Sequence, residues 1–233
     1  MSKSSIKENL FEVKKIINES YSKSKYGDKE PILVAVSKTK SNDMIMEAYN
    51  EGIRDFGENY VQELSDKMKK LPQDIRWHMI GHLQTNKIKY IIDNVYMIHS
   101  VDSVHLAEAI NKEAAKRNIT VKVLLEVNIA KEESKFGFTV ENIYEGIEQI
   151  NKLDNINVLG LMTSAPYVED MEDNRQYFVQ LRELLVDLKN KKLYNNIEYW
   201  LSMGMTGDYP VAVEEGAGFV RVGTGIFGAR NYN

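Results

Sequence analysis

The chain has 233 residues, a formal net charge of −4 and no cysteine. That length suits one large domain whose core needs no covalent staple, and the missing thiol excludes cysteine nucleophiles and cysteine-ligated zinc. With no basic excess, no apolar leader and no run of about 18 apolar residues, it reads as a cytoplasmic chain without a nucleic-acid or membrane partner.

Apolar positions at Ile6, Leu10, Val13, Ile16 and Ile17 recur at helical spacing and predict a helix over 4–25, ahead of a break at Gly27 to Pro31. Residues 1–31 are therefore an N-terminal helix and lead-in. The run from Ile32 to Ser37 is apolar on both faces, as in a parallel strand covered on two sides, and it stops at Lys38. A helix from Asp43 to Asn50, a short strand at Arg54 to Phe56 and a helix through Lys69 follow. Strand three is expected at Arg76 to Ile80, then a helix near Thr85 to Ile92, strand four at Val95 to His99 and a helix to Arg117. Strand five is expected at Val121 to Asn128, before a helix starting from a Thr139 N-cap. Ile156 to Met162 reads as strand six and Glu172 to Asn190 as the longest helix, with Phe178, Leu181, Leu184, Leu185 and Leu188 on one face. Glu198 to Ser202 is strand seven, Tyr209 to Glu215 a short helix, and Phe219 to Val222 strand eight.

About eight βα units in alternation imply a parallel sheet closed into a (β/α)8 TIM-type barrel, a single α/β domain over 1–233. An open dinucleotide-binding sheet is the competitor. Its fingerprint, Gly223-Thr224-Gly225-Ile226-Phe227-Gly228, leaves too little chain after it for the βαβ unit it requires.

In such a barrel the residues after each strand converge on one mouth. They are Lys38, Asn59, His78 with Gln84, Ser100 with Asp102, Asn128, Met162 with Thr163, Ser202 with Gly204 and Thr206, and Arg221 with Gly223 and Thr224. The ring is poor in carboxylates and offers neither a glycosidase acid pair nor a serine triad. The histidines suggest no metal site: Gly81 separates His78 from His82, and His99 and His105 stand alone. Strands seven and eight are the informative corner. Ser202-Met203-Gly204-Met205-Thr206-Gly207 and Arg221-Val222-Gly223-Thr224-Gly225 combine glycines with hydroxyls where barrels commonly hold phosphate. A phosphate seat there and an amine at the end of strand one fit a ligand with a phosphate and an aldehyde. Pyridoxal 5′-phosphate is such a ligand. A sugar phosphate forming a transient Schiff base on Lys38 is the alternative from a different class.

Taken together, Ala35-Val36-Ser37-Lys38-Thr39, Phe56-Gly57-Glu58-Asn59-Tyr60, Trp77 to Lys87, Gly160-Leu161-Met162-Thr163, Leu201 to Met205 and Arg221-Val222-Gly223-Thr224 resemble the pyridoxal phosphate homeostasis proteins. Those share the alanine racemase N-terminal barrel, fold type III among pyridoxal phosphate proteins. The resemblance implies that Lys38 carries the cofactor as a Schiff base, and that Ser202, Gly223 and Thr224 hold its phosphate. Arg221 then lies near the pyridine nitrogen, Asn59 lines the ring, and Met162 and Met203 complete the binding set. Thr206-Gly207 replaces the family's more usual Ser-Asp, and Gly225 stands where alanine is common. An arginine beside the nitrogen makes a poor electron sink, and the chain stops soon after strand eight. Both favour a monomeric carrier or regulator, with pyridoxal phosphate-dependent apoenzymes as partners, over a small racemase or lyase.

Overall fold

Ser5 opens the first helix with a reciprocal cap: its hydroxyl accepts from the Glu8 N–H at 3.2 Å, and its own N–H donates to the Glu8 carboxylate at 2.8 Å. This helix, α1 (Ile6–Lys23), buries Ile6, Leu10, Val13 and Ile17 along one stripe. The computed structural model describes residues 5–26, 30–193 and 199–229. From Ile32 the chain alternates: β1 (Ile32–Val36), α2 (Asn42–Asn50), β2 (Asp55–Glu58), α3 (Val61–Lys70), β3 (Arg76–Met79), a 3-10 helix (Thr85–Tyr90), β4 (Met97–Val101), α4 (Val104–Ala115), β5 (Val121–Glu126), α5 (Ile143–Ile150), β6 (Ile156–Met162), a 3-10 turn (Met171–Asn174), α6 (Arg175–Asn190), β7 (Trp200–Met205), α7 (Tyr209–Glu214), β8 (Phe219–Val222) and α8 (Thr224–Phe227).

The eight strands are parallel and close in sequence order, β8 pairing back onto β1 with Val34 opposite Arg221. The predicted α/β barrel is the observed one. Alternate strand residues divide between two apolar layers. Ala35, Phe56, Met79, Ile98, Leu125 and Val220 belong to the layer between barrel and helices, and Val34, Met97, Leu124, Leu159, Met162 and Phe219 form a smaller cluster within the barrel. On α6, Phe178, Leu181, Leu184, Leu185 and Leu188 are all buried as the stripe predicts, each worth about 1.5–3 kcal/mol. No described helix is long and apolar enough to cross a membrane.

Several boundaries depart from the sequence reading: β2 runs on to Glu58, β5 stops at Glu126, α6 starts at Arg175 behind a 3-10 turn, and four more differ as follows. The segment 85–92 forms a 3-10 helix over Thr85–Tyr90 in which Ile88 alone is buried, so no i, i+4 apolar face favours the α form. Strand four lies two residues later than expected, because its interior accepts His99 and Ser100, residues that pattern alone reads as a strand exit. Thr139 caps a turn and not the helix itself: its hydroxyl accepts from the Asn142 N–H at 3.1 Å and the Asn142 side chain accepts from the Thr139 N–H at 2.8 Å, so α5 starts at Ile143. Strand seven runs on to Met205, and its expected start at Glu198 falls outside the described residues, as does the expected break at Gly27.

Candidate functional site at the barrel mouth

Lys38 is half-buried just beyond β1, and its two neighbours are tied down from behind. The Ser37 hydroxyl donates to Glu58 Oε1 at 2.5 Å, and the Thr39 N–H donates to Glu63 Oε1 at 2.7 Å. Thr39 takes the left-handed backbone (φ 64°), a conformation that needs such support in a β-branched residue. Lys67 knots these groups: its Nζ donates to the Ser37 carbonyl at 2.8 Å, to Glu58 Oε1 at 2.8 Å and to Glu63 Oε1 at 2.6 Å. An ammonium has three donors, and all three are used. Burial pushes the Glu58 carboxyl up against the opposing pull of Lys67.

Asn59 follows β2. Its Oδ1 is buried and has no hydrogen-bond partner, an orphaned acceptor of the sort a ligand or ordered water normally completes. The backbone of the next loop presses on it: a Cβ at Gly81 would lie 2.5 Å from the Asn59 carbonyl oxygen. Across the mouth, Glu126 ends β5. Burial raises its carboxyl to about 7, with Arg221 opposing that rise and Asp102 adding to it. The sequence reading, which took this strand as an apolar run and the mouth as poor in carboxylates, missed it. Its parity with the interior residue Leu124 was the available signal.

The loops after β7 and β8 meet. Thr206 Oγ1 accepts from the Gly223 N–H at 3.2 Å and from the Gly225 N–H at 3.4 Å. Space for a side chain is tight at both glycines: a Cβ on Gly223 would come 3.3 Å from Val36, on the strand that leads to Lys38, and one on Gly225 would come 3.2 Å from Thr206 Cγ2. Thr224 between them is exposed, while Gly223 and Gly225 are partly so. Beneath this corner Asp208 accepts from the Met205 N–H at 2.6 Å and from Asn174 Nδ2 at 2.7 Å, which sets the course of the β7 loop.

Arg221 projects from β8 into the barrel interior. It donates to Ser202 Oγ at 2.6 Å and to the Thr163 carbonyl at 2.8 Å. Desolvation pulls the guanidinium down to about 10, with Glu126 and Asp208 opposing. Behind Ser202 the polar contacts continue: His99 Nδ1 lies 2.8 Å from Ser202 Oγ, His99 Nε2 lies 2.8 Å from His78 Nδ1, and His78 Nε2 lies 3.0 Å from Asp55 Oδ1.

Four expected positions therefore change. The Ser202 hydroxyl is fully buried between Arg221 and His99, so it does not open to a phosphate. Thr206, four residues on, is the hydroxyl at the glycine corner. Met203 points outward into the layer between barrel and helices, because it alternates with inward Ser202. Met162 fills the barrel interior with Val34 and Phe219 and exposes only 1% of its surface. His78, expected at the mouth, sits wholly inside the barrel, whereas His82 reaches the surface, bonded to Asp102 at 3.0 Å and stacked on Phe136. Lys38, Asn59, Arg221, Gly223 and Thr224 all lie at the ends of the strands where they were expected.

Residues 7–231 match the family model for the N-terminal domain of alanine racemase. The chain is 49% identical over 201 residues to the pyridoxal phosphate homeostasis protein of Aquifex aeolicus, covering 86% of this chain and 87% of that one. Against the human protein of the same name the identity is 41% over 217 residues, covering 88% and 78%. The chain belongs to the pyridoxal phosphate homeostasis family. A solved structure of PipY from Synechococcus elongatus with pyridoxal phosphate bound superposes with a TM-score of 0.82 at 33% identity, covering 96% of this chain and all of that one. Family membership bears out the resemblance read from the sequence. Among the described residues no cluster of histidine and carboxylate groups could hold a metal ion.

Proposed function

We propose that this chain binds pyridoxal 5′-phosphate at the barrel mouth and acts in intracellular supply of the cofactor. The observation that carries this reading is the glycine corner of Thr206, Gly223 and Gly225, packed so closely on the strand that leads to Lys38 that a Cβ on Gly223 would come 3.3 Å from Val36. The residues present fit the group. Thr206 and Thr224 hold the phosphate through hydroxyl and backbone N–H groups, taking the part expected of Ser202, while Gly223 and Gly225, whose N–H groups fix Thr206 Oγ1, let the backbone approach it. Asn59, with its orphaned Oδ1, borders the ring, and Arg221 faces the ring nitrogen. When bound, the cofactor supplies an aldehyde that condenses with the Lys38 amine, with loss of water, to a Schiff base.

Arg221 as the partner of the nitrogen, where other cofactor enzymes use a carboxylate, favours a protein that holds its ligand over one that turns substrate over. Apoenzymes that need the cofactor are the partners this reading implies, served by a monomeric chain in the cytoplasm.

Purified protein is expected to show a visible absorption band that Lys38→Ala abolishes. Thr206→Val should weaken retention of pyridoxal 5′-phosphate about tenfold more than retention of pyridoxal, the loss of one charge-assisted hydrogen bond. Equal loss of both vitamers would overturn the phosphate assignment. Steady turnover of D- or L-amino acids above the free-cofactor background would overturn the carrier reading.

A further inference from the structure

The polar contacts behind Arg221 form a continuous line through the barrel, from the mouth to the opposite face. At the far end Asp55 is gripped by Arg76, whose Nε and Nη2 donate to its two carboxylate oxygens at 2.8 and 2.5 Å. At the near end stands Arg221. Between them lie His78, His99 and Ser202, all with no exposed surface, ringed by Phe219 with its centroid 5.6 Å from His78 and 5.1 Å from His99.

The two ends decide the direction of every bond. A guanidinium only donates, so Ser202 Oγ accepts from Arg221. The carboxylate of Asp55, held ionised by Arg76, only accepts, so His78 Nε2 carries a proton and donates to it. Burial holds both imidazoles below their ordinary range, hence neutral at pH 7. His78 Nδ1 is then an acceptor and receives a hydrogen bond from His99 Nε2–H. His99 Nδ1 in turn accepts from the Ser202 hydroxyl. Every donor points from the mouth toward Asp55, and no buried ring nitrogen lacks a partner.

We infer that His78 and His99 are positioning residues for the cofactor site, forming with Ser202 a one-way line of hydrogen bonds that locks the Arg221 guanidinium and decides which of its edges is left for the ligand. This rests on the reading that Arg221 faces the cofactor ring. The Thr163 carbonyl holds a second N–H, so the guanidinium plane is fixed at two points and turns only if the line breaks. Asp55 and Arg76, at the far face, anchor the line and transmit no group to the ligand.

Two measurements test it. Nitrogen-15 NMR of the imidazoles, on cofactor-free and cofactor-loaded protein, should show His78 and His99 both protonated on Nε2 and bare on Nδ1 at pH 7. An Nδ1–H signal on either ring overturns the stated direction whether or not the protein binds the cofactor. Ser202→Ala removes one oxygen from the middle of the line, and His99→Gln shortens it one link further on. Each is expected to shift the maximum of the visible band and to speed cofactor release about tenfold, the loss of one hydrogen bond to a charged group. A merely structural role lowers the melting temperature and leaves the band where it was, and that result from folded Ser202→Ala overturns the positioning role. Absence of the band in the parent protein as well would instead strike the cofactor reading on which the inference rests, and the NMR result would still decide the direction of the line.

Discussion

Replacing Glu126 by glutamine should change how stability depends on pH. Burial raises this carboxyl from its ordinary 4.5 to about 7. At 1.36 kcal/mol per tenfold in proton affinity, that amounts to about 3 kcal/mol of linkage. The folded state binds a proton here that the unfolded chain has already lost. The stabilisation is therefore complete below pH 4.5 and disappears as pH rises through about 7. Between about pH 5 and pH 8 the parent should lose about 2.5 kcal/mol that Glu126→Gln keeps. His78 and His99 work the other way, since their folded values are lowered and their contribution is lost as pH falls below the ordinary 6.5. They are common to both proteins and cancel in the difference. Arg221 loses one counter-charge in the variant but retains Asp208. Urea unfolding of the cofactor-free proteins at half-unit intervals measures the difference directly. Parent and variant curves that stay parallel within a few tenths of a kcal/mol would refute the reasoning.

Three further outcomes are expected. Gly160→Ala should cost more than about 4 kcal/mol or prevent folding, because at φ 152° its Cβ would lie 1.9 Å from the Trp200 carbonyl oxygen; soluble yield and melting temperature read this. Lys67→Met leaves Glu58 buried without its cation and should cost about 3–5 kcal/mol in urea, most of it recovered in the double variant with Glu58→Gln. Gly81→Ala pushes on the backbone of Asn59 and should weaken cofactor retention several-fold in equilibrium dialysis, whereas Gly52→Ala, with open space at its Cβ but φ 89°, should cost only stability.

Much of the barrel can be read directly because its strongest signals are local. Ile156–Met162 and Phe219–Val222 are mostly apolar segments, each broken by one inner polar residue (Asn157 and Arg221), and they fold over those same residues. Lys38 and the glycines after β8 are legible for a related reason: chemistry gathers at the ends of barrel strands, and the end of an apolar run is easy to see. His99 shows where that rule fails. A polar residue inside a strand looks like the end of one, and what makes His99 tolerable is Ser202, a partner 103 residues away. Ser202 was misassigned by the same rule, since a hydroxyl at a strand exit invites a ligand. Its inward parity and the arginine opposite reserve it for the interior. Glu126 escaped notice because one carboxyl in an apolar strand carries no pattern, and its altered proton affinity comes entirely from burial and from charges on other loops.

The closure of β8 onto β1 has a consequence for how the protein is made. Lys38 leaves the ribosome early, whereas Gly223 and Thr224 emerge near the end of synthesis, and only the pairing of Val34 with Arg221 brings the two together. Helix α1 waits as well, since the Asn9 side chain donates to the Ile226 carbonyl at 2.8 Å and its buried face packs on α7 and α8. A nascent chain thus holds the Lys38 amine long before it holds the glycine corner proposed to seat the phosphate. A ligand bound at both would, by mass action, stabilise completed chains over truncated ones.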